Sequence, residues 1–206
     1  MIIVILLLVF FACVAMLVRE GLWSNALTLI NTVTAGLIAT SYWEPLAAWL
    51  DGQFATFTYL LDFIAIWTLF VLAFVILRAI TDSVSKVRVR FKIPVEYVGG
   101  VFFALWTGWV MVGFTTMTLH MSPLSADFMG GALSPDPQHT VLLRYAPDHQ
   151  WLGFVHRVTG EGGALSTAAS GKSDATNTFD PQGEFVTRYG QRRANLEATP
   201  ALRVNR

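Results

Sequence analysis

The chain has 206 residues, 54% of them hydrophobic and only 14% charged, whereas roughly a quarter of the residues in ordinary soluble domains are charged. Fourteen basic residues balance fourteen acidic ones, and residues 1–119 and 120–206 are each neutral, so neither part attracts nucleic acid or anionic substrates as a whole. Cys13 is the single cysteine, which excludes an intrachain disulfide and points to a small buried thiol.

Four apolar stretches fill the first 120 residues, at 1–18, 21–43, 57–80 and 97–119. A bilayer core about 30 Å thick is crossed by about 20 apolar helical residues. The chain is therefore predicted to be an all-α membrane protein with four transmembrane helices, followed by a largely irregular or disordered soluble tail, 121–206. The first stretch starts without a basic side chain, and Arg19-Glu20 follows it where a small-residue cleavage site would stand. It is read as a short uncleaved span that draws Arg19 to the interface.

Loop charge gives an orientation. The loop Glu44–Thr56 holds Glu44 and Asp51 but no Lys or Arg, whereas Arg78, Lys86, Arg88, Arg90 and Lys92 crowd the loop from Arg78 to Pro94. Positive charge resists translocation, so the second of these loops is predicted cytoplasmic and both termini external. Tyr42, Trp43 and Trp49 fit an aromatic interface belt. Ser85–Lys92 alternates basic and apolar residues as a strand does. It serves either as a contact for anionic lipid through Lys86, Arg88, Arg90 and Lys92 or as a topology determinant alone.

Within the spans, Ser24, Thr28, Asn31 and Ala35 form a small and polar stripe, and Gly100, Ala104 and Gly108 recur every four residues. Such residues let helix backbones approach in lipid. They predict helix packing, within the chain or between copies. Asp62 is the one acidic residue inside a span. It is either an intramembrane polar site, with Asn25 and Asn31 able to hydrogen-bond it, or an interfacial carboxylate in contact with water. His120 is expected at the external interface.

In the tail, Ser122–Asp136 reads as loop. Val141–Leu143 and Trp151–Val155 are apolar clusters divided by Pro147, and Pro147 and Gly153 weaken any helix between them. Residues 160–178 are rich in Gly, Ser, Thr and Ala and are expected to be disordered. A turn at Phe179–Gly183 precedes a short predicted helix, 184–197. Its Phe185, Tyr189, Arg192 and Arg193 offer a docking face for a partner; the alternative is a solvated, loosely helical tail.

Catalytic patterns are missing: there is no His-Glu-x-x-His, no Walker phosphate loop and no Gly-x-Ser-x-Gly elbow. His149 and His156, seven residues apart, lack acidic or cysteine partners for a metal. No enzyme activity, cofactor or metal is expected, and an external tail argues against nucleic-acid binding.

The residues Arg19-Glu20-Gly21-Leu22, Ala26–Ile30 and Ala35–Ala39, then Tyr42 and Pro45-Leu46, resemble the first half of the bacterial colicin V production protein family. Glu96-Tyr97-Val98-Gly99-Gly100, continuing through Ala104 to Gly108, resembles that family's Gly-rich start of the fourth span. The resemblance covers roughly Met1–His120. The sequence departs from it where Ser24-Asn25, Tyr97 and Thr107 replace charged family positions and Ala104 replaces a glycine, so packing is kept better than charge. The resemblance implies a small multi-pass protein of the bacterial inner membrane, with both termini periplasmic on the charge argument. It further implies a role in toxin or peptide production, secretion or envelope homeostasis. The expected function is that of a non-enzymatic scaffold or accessory factor with protein partners in the membrane or periplasm, and with self-association open to it. The alternative is an oligomeric channel or transporter subunit with a polar path near Asp62.

Overall fold

The computed structural model describes residues 2–54, 57–85, 92–124, 145–160, 163, 179–180 and 182–198. They form six helices: α1 (Ile2–Leu17), α2 (Leu22–Gln53), α3 (Thr58–Val84), α4 (Ile93–Met121), α5 (Pro147–Thr159) and α6 (Phe185–Ala198). Helices α2, α3 and α4 are long and apolar enough to cross a membrane. Helix α1 is as apolar but has 16 residues, about 24 Å of helix.

The exterior is the greasier side of this bundle. Val71, Leu72, Val75, Ile76 and Ile80 of α3 are exposed, as are Val4, Leu8 and Phe11 of α1, while Ala35, Ala39, Ala65, Ala104, Asn25 and Thr32 are buried. Small and polar residues inside, with branched apolar residues outside, is the arrangement that lipid as solvent favours. Most of the buried threonine hydroxyls are satisfied locally. Thr32, Thr40, Thr107 and Thr116 each donate to the carbonyl four residues back, at 2.7 to 2.9 Å.

Helices α2 and α3 form an antiparallel pair. At one end the Trp23 indole donates to Ser85 Oγ at 2.7 Å, and at the other Thr58 donates to Asp51. Helix α1 runs antiparallel to α4, with Phe10 and Val14 against Gly108 and with Leu6 clustered on Val112. Gly100 sits against the turn between α1 and α2, near the Glu20 carbonyl. The small residues of α4 are thus used in packing within the chain. An aromatic core joins the elements: Phe70 stacks on Phe114 at 4.6 Å, and Phe114 meets Trp151 edge-on at 5.7 Å.

Two expectations are corrected. The segment Glu44–Thr56 was expected as a loop, but α2 continues to Gln53 with Pro45 inside it. Ala47 on that extension is buried, and packing outweighs the usual proline break. Pro147 and Gly153 were expected to weaken a helix, yet α5 starts at Pro147. A proline in the first turn loses no intrahelical bond, and Asp148 behind it complements the helix dipole. In the tail, α6 falls on the short helix expected at 184–197, and α5 adds a second helix. The basic run 86–91, residues 125–144 with the Val141–Leu143 cluster, and residues 164–178 lie outside the described residues.

Candidate functional site

The chemistry concentrates where α2 turns into α3. Residues 21–77 hold Glu44, Asp51 and Asp62 and no Lys or Arg, so any cation at this end of the α2–α3 pair comes from elsewhere in the chain. It comes from α6. Asp180 starts that helix: its carboxylate accepts from the Glu184 amide at 2.8 Å and the Phe185 amide at 3.1 Å, amides that a helix N-terminus leaves without intrahelical partners.

Helix α6 then lies against the end of α4 and reaches the ends of α2 and α3 with its side chains. Phe185 and Tyr189, one turn apart, are buried with Trp43 and Ala47 in the main core. The Tyr189 hydroxyl donates to Asp62 Oδ2 at 3.0 Å. The Arg192 guanidinium pairs with the same oxygen and donates from its other nitrogen to the Thr58 carbonyl at 2.7 Å. It lies over the rings of Tyr59 and Tyr189, 5.2 and 5.9 Å from their centroids. Arg188 reaches Glu44 at 3.3 Å and lies over Trp43. Asp62 is only 7% exposed, so its pair with Arg192 is the consequential one; the exposed Arg188–Glu44 pair contributes little. Burial raises the Tyr189 pKa well above the ordinary phenol range, and the Asp62 charge raises it further. The phenol is therefore a fixed proton donor to Asp62. Burial lowers the Arg193 pKa, while Glu197 opposes the shift.

A second polar contact sits beside it. His120 Nε2 and Asp148 Oδ2 are 2.9 Å apart, joining the last turn of α4 to the first turn of α5. Both side chains are buried, and His149 Nε2 lies 3.7 Å from the same carboxylate. Burial alone would raise the Asp148 pKa. The hydrogen bond and charge of His120, helped by His149, outweigh it and hold the carboxyl below its usual range. A small cleft between α6 and the ends of α3 and α4 is lined by Tyr59, His120, Tyr189, Arg192 and Arg193.

The residues singled out from the sequence fall into separate places. Asp62 is buried, but Asn25 and Asn31 do not reach it. Asn25 Nδ2 donates to the Leu17 carbonyl at 3.0 Å and the Gly100 carbonyl at 2.9 Å, and Asn31 Nδ2 donates to Thr81 Oγ1 at 2.9 Å. The reason is the antiparallel pairing: residues early in α2 face residues late in α3, at the opposite end from Asp62. Ser24 donates to Glu20 and Thr28 to the Ser24 carbonyl. Thr28 also accepts from Arg78, which pairs with Glu20 at 3.6 Å. Ala35, Ala104, Gly100 and Gly108 are interior packing positions. Phe185, Tyr189, Arg192 and Arg193, predicted as a docking face, meet this chain's own helices. His120, expected at the interface, is buried. Lys92 precedes α4 and is exposed, while Lys86, Arg88 and Arg90 lie outside the described residues.

Asp148 was not singled out from the sequence, and Trp151 only as part of an apolar cluster. The signal for Asp148 was the Pro-Asp start of a helix. The Trp151 ring rests on Gly36 of α2, and nothing local in the sequence announces that contact. Among the described residues no group of three metal-ligating side chains occurs.

These features define a multi-pass helical membrane protein whose polar groups serve helix assembly. The family model for the colicin V production protein matches residues 2–145, more than half of the chain, and the chain belongs to that family. It is not known as an enzyme family. Comparisons with curated proteins and with solved structures gave no match.

Proposed function

We propose that this protein is a four-span, non-enzymatic scaffold or accessory factor of the bacterial inner membrane. It acts in peptide or toxin production, secretion or envelope homeostasis, with both termini on the periplasmic side. Helix α1 is the fourth span: 16 apolar residues reach nearly across a bilayer core, and Arg19 extends the reach by snorkelling. The observation that carries the reading is the closure of Asp62 by Tyr189 and Arg192. The carboxylate singled out within a span is neutralised by the chain itself, which leaves it no part in a polar path and weakens the channel alternative. The buried hydroxyls and small residues are likewise used in folding, so what the protein offers to others is its surface.

The test is photo-crosslinking in living cells. A crosslinking amino acid is placed in turn at the exposed Gln182 on the tail and at Phe102 and Trp106 on α4. Adducts with a small set of other envelope proteins are the expected result. Adducts with lipid and self alone would refute an accessory role. Solute flux in proteoliposomes, lost with Asp62→Ala, would favour the channel instead.

A further inference from the structure

We infer that the surface under α6 is a receptor groove for a cationic amphipathic helix of a partner protein, with α6 as its resident occupant; this rests on the accessory-protein reading. The groove is made without α6. Trp43 and Glu44 come from α2, and Tyr59, Asp62 and the Thr58 carbonyl come from α3. Beside the Tyr59 hydroxyl and the Trp43 indole N–H, its groups are carboxylate and carbonyl acceptors and aromatic faces, and residues 21–77 supply no cation to pair with the carboxylates. A carboxylate buried like Asp62 needs a positive partner. The groove therefore fixes the chemistry of its occupant: donors that are charged, carried on a helix with aromatic anchors.

Helix α6 displays that pattern. Phe185 and Tyr189 are four apart and buried, and Arg188 and Arg192 are four apart and reach the two carboxylates. This is helix-in-groove recognition, with anchors at i and i+4. A 14-residue helix is marginal by itself, so α6 is ordered by the groove. A partner helix with an aromatic-x-x-Arg-aromatic-x-x-Arg face would make the same contacts. An anionic lipid head group is excluded by the groove's own charge.

The test uses the full chain in nanodiscs and a fluorescent peptide with the sequence of residues 179–198. In the wild-type protein the tethered α6 competes at an effective concentration on the order of millimolar, so the peptide binds weakly. In the double variant Arg188→Ala, Arg192→Ala the resident helix is disabled, and the peptide should bind about 30-fold tighter or more. Adding Asp62→Asn should abolish that gain. If the triple variant fails to fold, as judged by helical content and size exclusion, a peptide carrying Arg192→Ala removes the same contact from the ligand side and should not bind the double variant. Equal binding to wild type and double variant, or binding to neither, would overturn the inference. So would a wild-type dimer that dissolves with Arg192→Ala while its monomers bind no peptide, since the groove would then hold a second copy's α6. Cellular crosslinks without peptide binding would overturn the groove and leave the accessory function standing. Peptide binding without cellular crosslinks would do the reverse.

Discussion

His120 on α4 holds Asp148 on α5 across 2.9 Å, with both side chains out of solvent, and this contact fastens the tail's first helix to the bundle. Removing one member of a buried hydrogen-bonded pair leaves the other unsatisfied and costs about 1–3 kcal/mol. Asp148→Ala should lower stability on that scale in nanodiscs, as measured by thermal unfolding, and should open the tail to protease. The pair also sets an acid limit. The Asp148 carboxyl titrates below its unfolded value of about 3.9. Its contribution is therefore complete above that value and is lost as pH falls through the lower folded-state value. Tail protection from protease should hold from neutral pH down to about 4 and fail in stronger acid. In Asp148→Ala this acid step should disappear.

Two glycines separate packing from helix propensity. A Cβ on Gly36 would stand 2.6 Å from Trp151 Cη2, whereas one on Gly153 meets nothing within 4 Å. Gly36→Ala should destabilise by about 1–3 kcal/mol, since the indole cannot yield without shifting α5. Gly153→Ala should be neutral or stabilise by about 0.5–1 kcal/mol. Paired thermal melts of the two variants check the difference.

At the α6 site, Tyr189→Phe removes one hydrogen bond and should cost about 1–3 kcal/mol by leaving Asp62 one donor short. Arg192→Ala removes the charge and should cost more. Arg188→Ala should be close to neutral, because its pair with Glu44 is exposed. The order Arg192 over Tyr189 over Arg188, read from protease sensitivity of the tail, is the expected result.

Asn25 ties the turn between α1 and α2 to α4 through the Leu17 and Gly100 carbonyls. Asn25→Leu keeps the volume and strips both donations. A loss of about 1–3 kcal/mol in nanodisc melts is expected, with the damage registered as detachment of α1, seen as new labelling of Cys13.

The three long apolar helices were legible because bilayer thickness dictates the length of a span. Pro45 misled: local propensity marks an end, while burial of Ala47 carries α2 onward to Gln53. Asp62 stood out as the acidic residue inside a span, either a buried polar site or an interfacial carboxylate. Its partners lie 127 and 130 residues later, beyond the reach of any periodicity. Asn25 and Asn31 were assigned to it by composition alone, and the antiparallel pairing of α2 with α3 sends them to the other end. The His120–Asp148 pair joins residues 28 apart on two helices and is visible only once the fold is in hand.

The most direct test of the account is the side of the membrane on which α6 lies. With Cys13→Ser as background, single cysteines at the exposed Gln182, just before α6, and at the exposed Ser83, near the end of α3, are treated with a membrane-impermeant thiol reagent in whole and lysed cells. The account predicts labelling of Gln182→Cys in whole cells and of Ser83→Cys only after lysis. Ser83→Cys labelled in whole cells, with Gln182→Cys protected until lysis, would contradict it and place the tail in the cytoplasm.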